Sequence, residues 1–132
     1  MNAYSSTTQN VTVSVQPIYL AGESAPEQNL YVWAYKVRIE NNSPETLQLK
    51  TRHWKITDGF GRLQEVIGPG VVGLEPIIKP GDSFEYTSGT PLSTSSGIMA
   101  GVYAMQRPDG NLMDIDIPAF SLDAPGTTKV LN

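Results

Sequence analysis

The sequence predicts an all-β protein built as two sheets packed face to face, and three observations carry that expectation. Apolar residues recur at every second position instead of along a 3.6-residue helical stripe. Glycine and proline, 12 and 10 of 132 residues, are scattered so that turns recur along the whole chain. No window of helical length is free of proline, glycine or a competing alternation.

Tyr31, Trp33, Tyr35, Val37 and Ile39 alternate with Val32, Ala34, Lys36, Arg38 and Glu40, which predicts a strand with one face on a core and the other wet. Val11, Val13 and Val15 predict an earlier strand, broken at Pro17 and resuming through Ile18 and Leu20. Proline has no amide hydrogen for a ladder, so an edge position is expected there. Leu47 and Leu49 stand at odd numbers but Trp54 and Ile56 at even ones, which requires a bulge near Thr51 to His53. Asp58-Gly59-Phe60-Gly61 supplies turn chemistry leading to a strand from Arg62 to Ile67, and the two form a hairpin.

Phe84 and Tyr86 mark a short strand after the turn Lys79-Pro80-Gly81-Asp82. Ile98, Ala100, Val102 and Ala104 alternate with Met99, Gly101, Tyr103 and Met105, as expected of a central strand covered on both faces. After the turn at Arg107 to Asn111, Met113, Ile115 and Ile117 oppose Asp114 and Asp116 on a last strand ending before Pro118. The outcome is seven or eight mostly antiparallel strands, spaced as in an immunoglobulin or fibronectin type III sandwich but without the cysteine and tryptophan spacing of antibody domains. One domain is expected over 10–125, flanked by flexible tails at 1–9 and 126–132.

Composition excludes several functions. The absence of cysteine removes disulfides, zinc fingers, iron-sulfur sites and thiol nucleophiles together. A net charge of -4 opposes binding to nucleic acid or to anionic membrane. No apolar run matches a signal sequence or a membrane span, so a cytoplasmic location is expected and the sequons at Asn10 and Asn41 are idle. The charge is uneven: residues 36–62 carry six cations against three carboxylates, and the rest carries three cations against ten carboxylates. Lys36 with Arg38, and Lys50 with Arg52, are expected on outward strand faces. They form one basic patch if their strands pair, and two if the strands lie in opposing sheets.

Gly68-Pro69-Gly70-Val71-Val72-Gly73 has the G-x-G-x-x-G spacing of a dinucleotide fingerprint, but Pro76 and Pro80 follow where that motif needs a helix. A weaker reading remains, in which Gly68, Gly70 and Gly73 turn amides toward a phosphate or nucleotide with Arg62 and Lys79 adding charge. The solitary His53 lies between cations beside Trp54, and no serine motif accompanies it, so no catalytic set is expected. Asp114 and Asp116, about 6.6 Å apart on one strand face at ~3.3 Å per residue, are expected to be solvated, and no metal site is expected.

Two stretches, Arg52 to Gly89 and Gly97 to Pro125, resemble the ApaG family. The HW pair at His53-Trp54, the GPGVVG run at 68–73 and the YTSG run at 86–89 carry the resemblance, which with YVWAYKVRIENNS spans roughly Val11 to Pro125. It implies a small bacterial cytosolic protein with a fibronectin type III-like sandwich and no established enzymatic activity. It also implies an association with cobalt resistance and magnesium efflux, and a genetic neighbour that hydrolyses dinucleoside tetraphosphates. Related modules end a eukaryotic F-box protein and a polymerase delta-interacting protein, where protein binding is proposed. The expected function is therefore a cofactor-free, non-catalytic module, monomeric or weakly dimeric, that binds another protein through Arg52, His53, Trp54 and Lys55. Pyrophosphate or nucleotide binding at the glycine-rich loop is the alternative, and hydrolysis a distant one.

Overall fold

In a computed structural model, residues 3–126 are described and form a sandwich of two antiparallel sheets. The strands are β1 (Tyr4–Thr8), β2 (Val11–Tyr19), β3 (Tyr31–Asn41), β4 (Leu47–Asp58), β5 (Leu63–Pro69), β6 (Ile77–Ile78), β7 (Ser83–Leu92), β8 (Ser96–Gln106) and β9 (Leu112–Asp123). One sheet has the order β1-β2-β3-β7. The other has the order β5-β4-β8-β9, with β6 pairing the start of β4. Two short 3₁₀ turns, Ala21–Glu23 and Pro26–Gln28, interrupt the path from β2 to β3.

The core lies where the alternation places it. Val11, Val13 and Val15 of β2 and Trp33, Val37 and Ile39 of β3 are buried against Trp54 of β4, Tyr103 and Met105 of β8, and Ile115 and Phe120 of β9. At the corner joining the sheets, the buried Asn41 donates from Nδ2 to the carbonyls of Glu45 and Ile78, and its Oδ1 accepts from Ser43. A side chain so enclosed offers no acceptor for a glycan.

Several expectations need correction. Residues 4–8 are not a loose tail: they form β1, paired in register from Tyr4↔Val15 to Thr8↔Val11. The expected C-terminal tail falls, beyond Gly126, outside the described residues. β2 is an interior strand and runs through Pro17 without a break. Pro17 sits past the Tyr4↔Val15 pair that begins the ladder with β1, so on that side it pairs with no described residue. The bulge in β4 falls at Lys50, between Leu49 and Thr51, one residue before the expected span. β7 extends over ten residues. In the other sheet β8 does lie inside, between β4 and β9, but only one of its faces is covered, and Ile98 on the other is 53% exposed. β9 passes through Pro118, which the ladder accommodates at the irregularity between Gly101↔Ile117 and Met99↔Phe120. Counting β1 and the two-residue β6, the described residues hold nine strands.

The two lateral margins of the sandwich differ. At one, β1 and β9 are stitched together: Ser6 Oγ donates to the Asp116 carbonyl, and the Asp116 amide donates to Thr8 Oγ1. At the other, β7 and β5 each end their sheet. A cleft opens between them.

Candidate functional site

Strand alternation divides the expected partner surface in two. On β4, Trp54 and Ile56 point into the sandwich, and Arg52 shares their side; His53 and Lys55 point outward. Trp54 is 2% exposed and packs against Tyr35, Tyr103 and Phe120, so it is not available to a partner. His53 leaves the company of Arg52 and instead meets Glu65 of β5, Nε2 to Oε1 at 2.8 Å.

The expected basic patch is likewise split. Lys36 and Arg38 lie on β3 in the first sheet, where Glu85 meets both and Glu40 meets Arg38. Lys50 occupies the bulge of β4 in the second sheet and pairs with Glu75 at 2.8 Å. Exposed pairs of this kind contribute little to stability, but they neutralise the charge that a patch would need.

The outer face of the second sheet reads in cross-strand rows as Leu63–Thr57–Ile98, Glu65–Lys55–Ala100 and Ile67–His53–Val102. Leu63, Ile67 and Ile98 are each more than half exposed. Lys55 stands among them with no hydrogen bond or ion pair to any described residue.

The glycine-rich run forms the end of β5 and a tight two-residue turn. Val71 and Leu74 exchange both backbone bonds at 2.8 Å, and Val72 and Gly73 between them have φ of 43° and 80°. Positive φ at both central positions is type I′ geometry, for which a β-branched valine is a costly occupant. Gly70 is tied to the Lys50 carbonyl through its own amide. The chain then runs to the two-residue β6, so no helix springs from Gly73. The expected cations do not reach this turn. Arg62 is at the far end of β5, bonded to Asp58 at 2.8 Å, and Lys79 follows the Leu47↔Ile78 pair beyond the bulge. Arg52 takes that place: its Nη1 donates to the carbonyls of Pro69 at 2.8 Å and Gly70 at 3.0 Å.

Three phenols that the sequence did not single out surround this arginine: Tyr35 and Tyr86 face it from the opposite sheet, and Tyr103 is its cross-strand neighbour on β8. Tyr86 and Tyr103 share a short hydroxyl–hydroxyl hydrogen bond, and Tyr35 bonds Ser88. Burial pushes all three phenol pKa values upward, a rise that Arg52 partly offsets at each, as does the Ser88 bond at Tyr35. A raised acid pKa stabilises the fold fully below the unfolded value near ~10, and that stability is lost as pH climbs, because the unfolded chain releases protons the fold retains. The urea midpoint is therefore expected to fall between about pH 10 and 12, and to fall less steeply in Tyr86→Phe. Equal slopes in both proteins would show that these phenols are not the cause.

Among the described residues no three histidine, aspartate or glutamate side chains group as metal ligands, and no helix is long and apolar enough to cross a membrane. Asp114 and Asp116 are exposed on the outer side of β9.

Comparison with known proteins finds that a family model described as the ApaG domain matches residues 21–107. Protein ApaG of Paramagnetospirillum magneticum is 57% identical over 129 residues, covering 98% of this chain and 99% of that protein. Protein ApaG of Brucella anthropi is 54% identical over the same coverage. Among solved structures, the ApaA protein from Bordetella pertussis superposes with a TM-score of 0.85 at 48% identity, over 89% of this chain and 95% of that one.

Proposed function

The chain belongs to the ApaG domain family, and from that premise we propose that it is a non-catalytic β-sandwich module that docks another protein on the outer face of the sheet β5-β4-β8-β9. The observation that carries this reading is the apolar surface of Leu63, Ile67 and Ile98, left open around Lys55. Each such side chain contributes about 1.5–3 kcal/mol when a partner buries it fully. Lys55 then selects the partner: a protein presenting an apolar surface with a carboxylate placed to meet the ammonium. Small residues at Ala100 and Ala104 keep the middle of the face flat enough for close approach.

A photoreactive amino acid at Ile67 is expected to cross-link one cellular protein, and Lys55→Glu should reduce that adduct about tenfold or more. The same group at Arg38, on the outer face of the opposite sheet, should not capture it. All three substituted positions are exposed, so the fold should change by no more than about 0.5 kcal/mol. Equal adducts from Ile67 and Arg38, or adducts indifferent to Lys55→Glu, would reject this docking face.

A further inference from the structure

The open margin of the sandwich holds a positive charge that nothing described neutralises. Of the four arginines, Arg38, Arg62 and Arg107 each lie against a carboxylate, whereas Arg52 lies against none. Its Nη1 is committed to the carbonyls of Pro69 and Gly70, and its Nε and Nη2 make no hydrogen bond to a described residue. That side of the guanidinium is the fork that grips oxyanions. The position is built, not incidental: a Cβ on Gly68 would sit 3.1 Å from Nη1 and 3.2 Å from Nη2, so glycine there gives the guanidinium room to lie on the strand.

Around Arg52 is a cavity of about 170 Å³ that Val72 and Gly73 border on one side and Tyr35, Tyr86 and Ser88 on another. The amides of Val72 and Gly73 take no part in the backbone bonds that close their turn. Hydroxyl donors come from the facing sheet, amides from the turn and the guanidinium from β4. A carboxylate is satisfied by donors in one plane; donors on three sides suit a tetrahedral oxyanion. A second cavity of about 250 Å³ adjoins the first, shares Tyr35, Arg52, Trp54 and Ser88 with it, and adds the apolar Ile56, Val66 and Met99. Tyr35 and Tyr86 stay protonated at neutral pH, so they border the cavity without adding negative charge.

We propose that this cleft is a binding site for a phosphate monoester, with the phosphoryl group at Arg52 and the organic part in the adjoining apolar cavity. The site is on the inner face of β4, separate from the outer docking face. Its ligand is recognised by charge and shape together: Arg52 and the turn amides take the oxygens, and Ile56, Val66 and Met99 take the carbon skeleton.

The test is an NMR titration of the full chain with phenyl phosphate, inorganic phosphate and acetate at constant ionic strength. Phenyl phosphate is expected to give saturable shifts at the amides of Val72, Gly73 and Ser88, with inorganic phosphate weaker and acetate weakest. Arg52→Gln should lower the affinity about tenfold or more, and Arg62→Gln should leave it unchanged. Arg52→Gln also removes the two bonds to Pro69 and Gly70, so its amide spectrum reports whether the sandwich persists. If it does not, Ser88→Ala on the facing sheet serves instead and should weaken phenyl phosphate several-fold. No saturable shift with phenyl phosphate, tighter binding of acetate, shifts centred on Arg62 or Lys79, or full affinity in a folded Arg52→Gln or Ser88→Ala variant would overturn the proposal.

Discussion

Trp54→Ala is expected to destabilise the protein by about 3–5 kcal/mol in urea unfolding, the range for deleting a large aromatic side chain from a packed core. Three neighbours from three different strands fix that expectation. The Trp54 ring lies 5.2 Å from Tyr35 of β3, 6.5 Å from Tyr103 of β8 and 6.0 Å from Phe120 of β9, centroid to centroid. The last two contacts are edge-on, the arrangement in which the positive rim of one ring meets the negative face of another. Because Tyr35 belongs to the first sheet and the others to the second, the indole ties the layers together, and no single strand can shift to refill its volume. Lys55→Ala, one residue along but on the outer face, should change stability by no more than about 0.5 kcal/mol. A partner-contacting Trp54 would behave like Lys55. Similar small losses from both substitutions would therefore refute the core role.

That contrast shows what a sequence of strands discloses and what it withholds. Period two was legible along β3, so Trp33, Tyr35, Val37 and Ile39 could be placed on one buried face before any pairing was known. The same rule applied to β4 puts Arg52 with Trp54 and Ile56, so its inward direction was available from parity alone; grouping 52–55 as one surface overlooked it. Register between distant strands was not legible. Ser88 reaches Tyr35 because β7 pairs with β3, and nothing local in either segment encodes that partnership. β1 escaped notice because Tyr4-Ser5-Ser6-Thr7-Thr8 has almost no apolar alternation. Its pairing with β2 and the hydroxyl bonds to β9 hold it in place. The turn at Val72-Gly73 gave no signal because valine replaces the Asn or Asp that usually marks type I′ geometry.

Gly70→Ala should cost on the order of 2–4 kcal/mol, since it combines a left-handed backbone with a clash that no rotamer relieves. Gly70 has φ of +59°, and a Cβ built there would meet the Leu74 carbonyl oxygen at 2.1 Å and its carbon at 2.9 Å. Those atoms are backbone, and Leu74 is itself held by its paired bonds to Val71, whose side chain is fully buried. Relief therefore requires moving the turn, which breaks the Gly70 amide bond to Lys50 or withdraws the Gly70 carbonyl from Arg52. Gly73→Ala isolates the backbone contribution: its φ is +80°, but an added Cβ meets nothing within 4 Å, so a loss of only about 1–2 kcal/mol is expected. Urea midpoints of the two variants decide the matter. A loss at Gly70 no larger than at Gly73 would mean that the turn yields easily, and that the GPG segment does not hold Arg52 by rigid backbone.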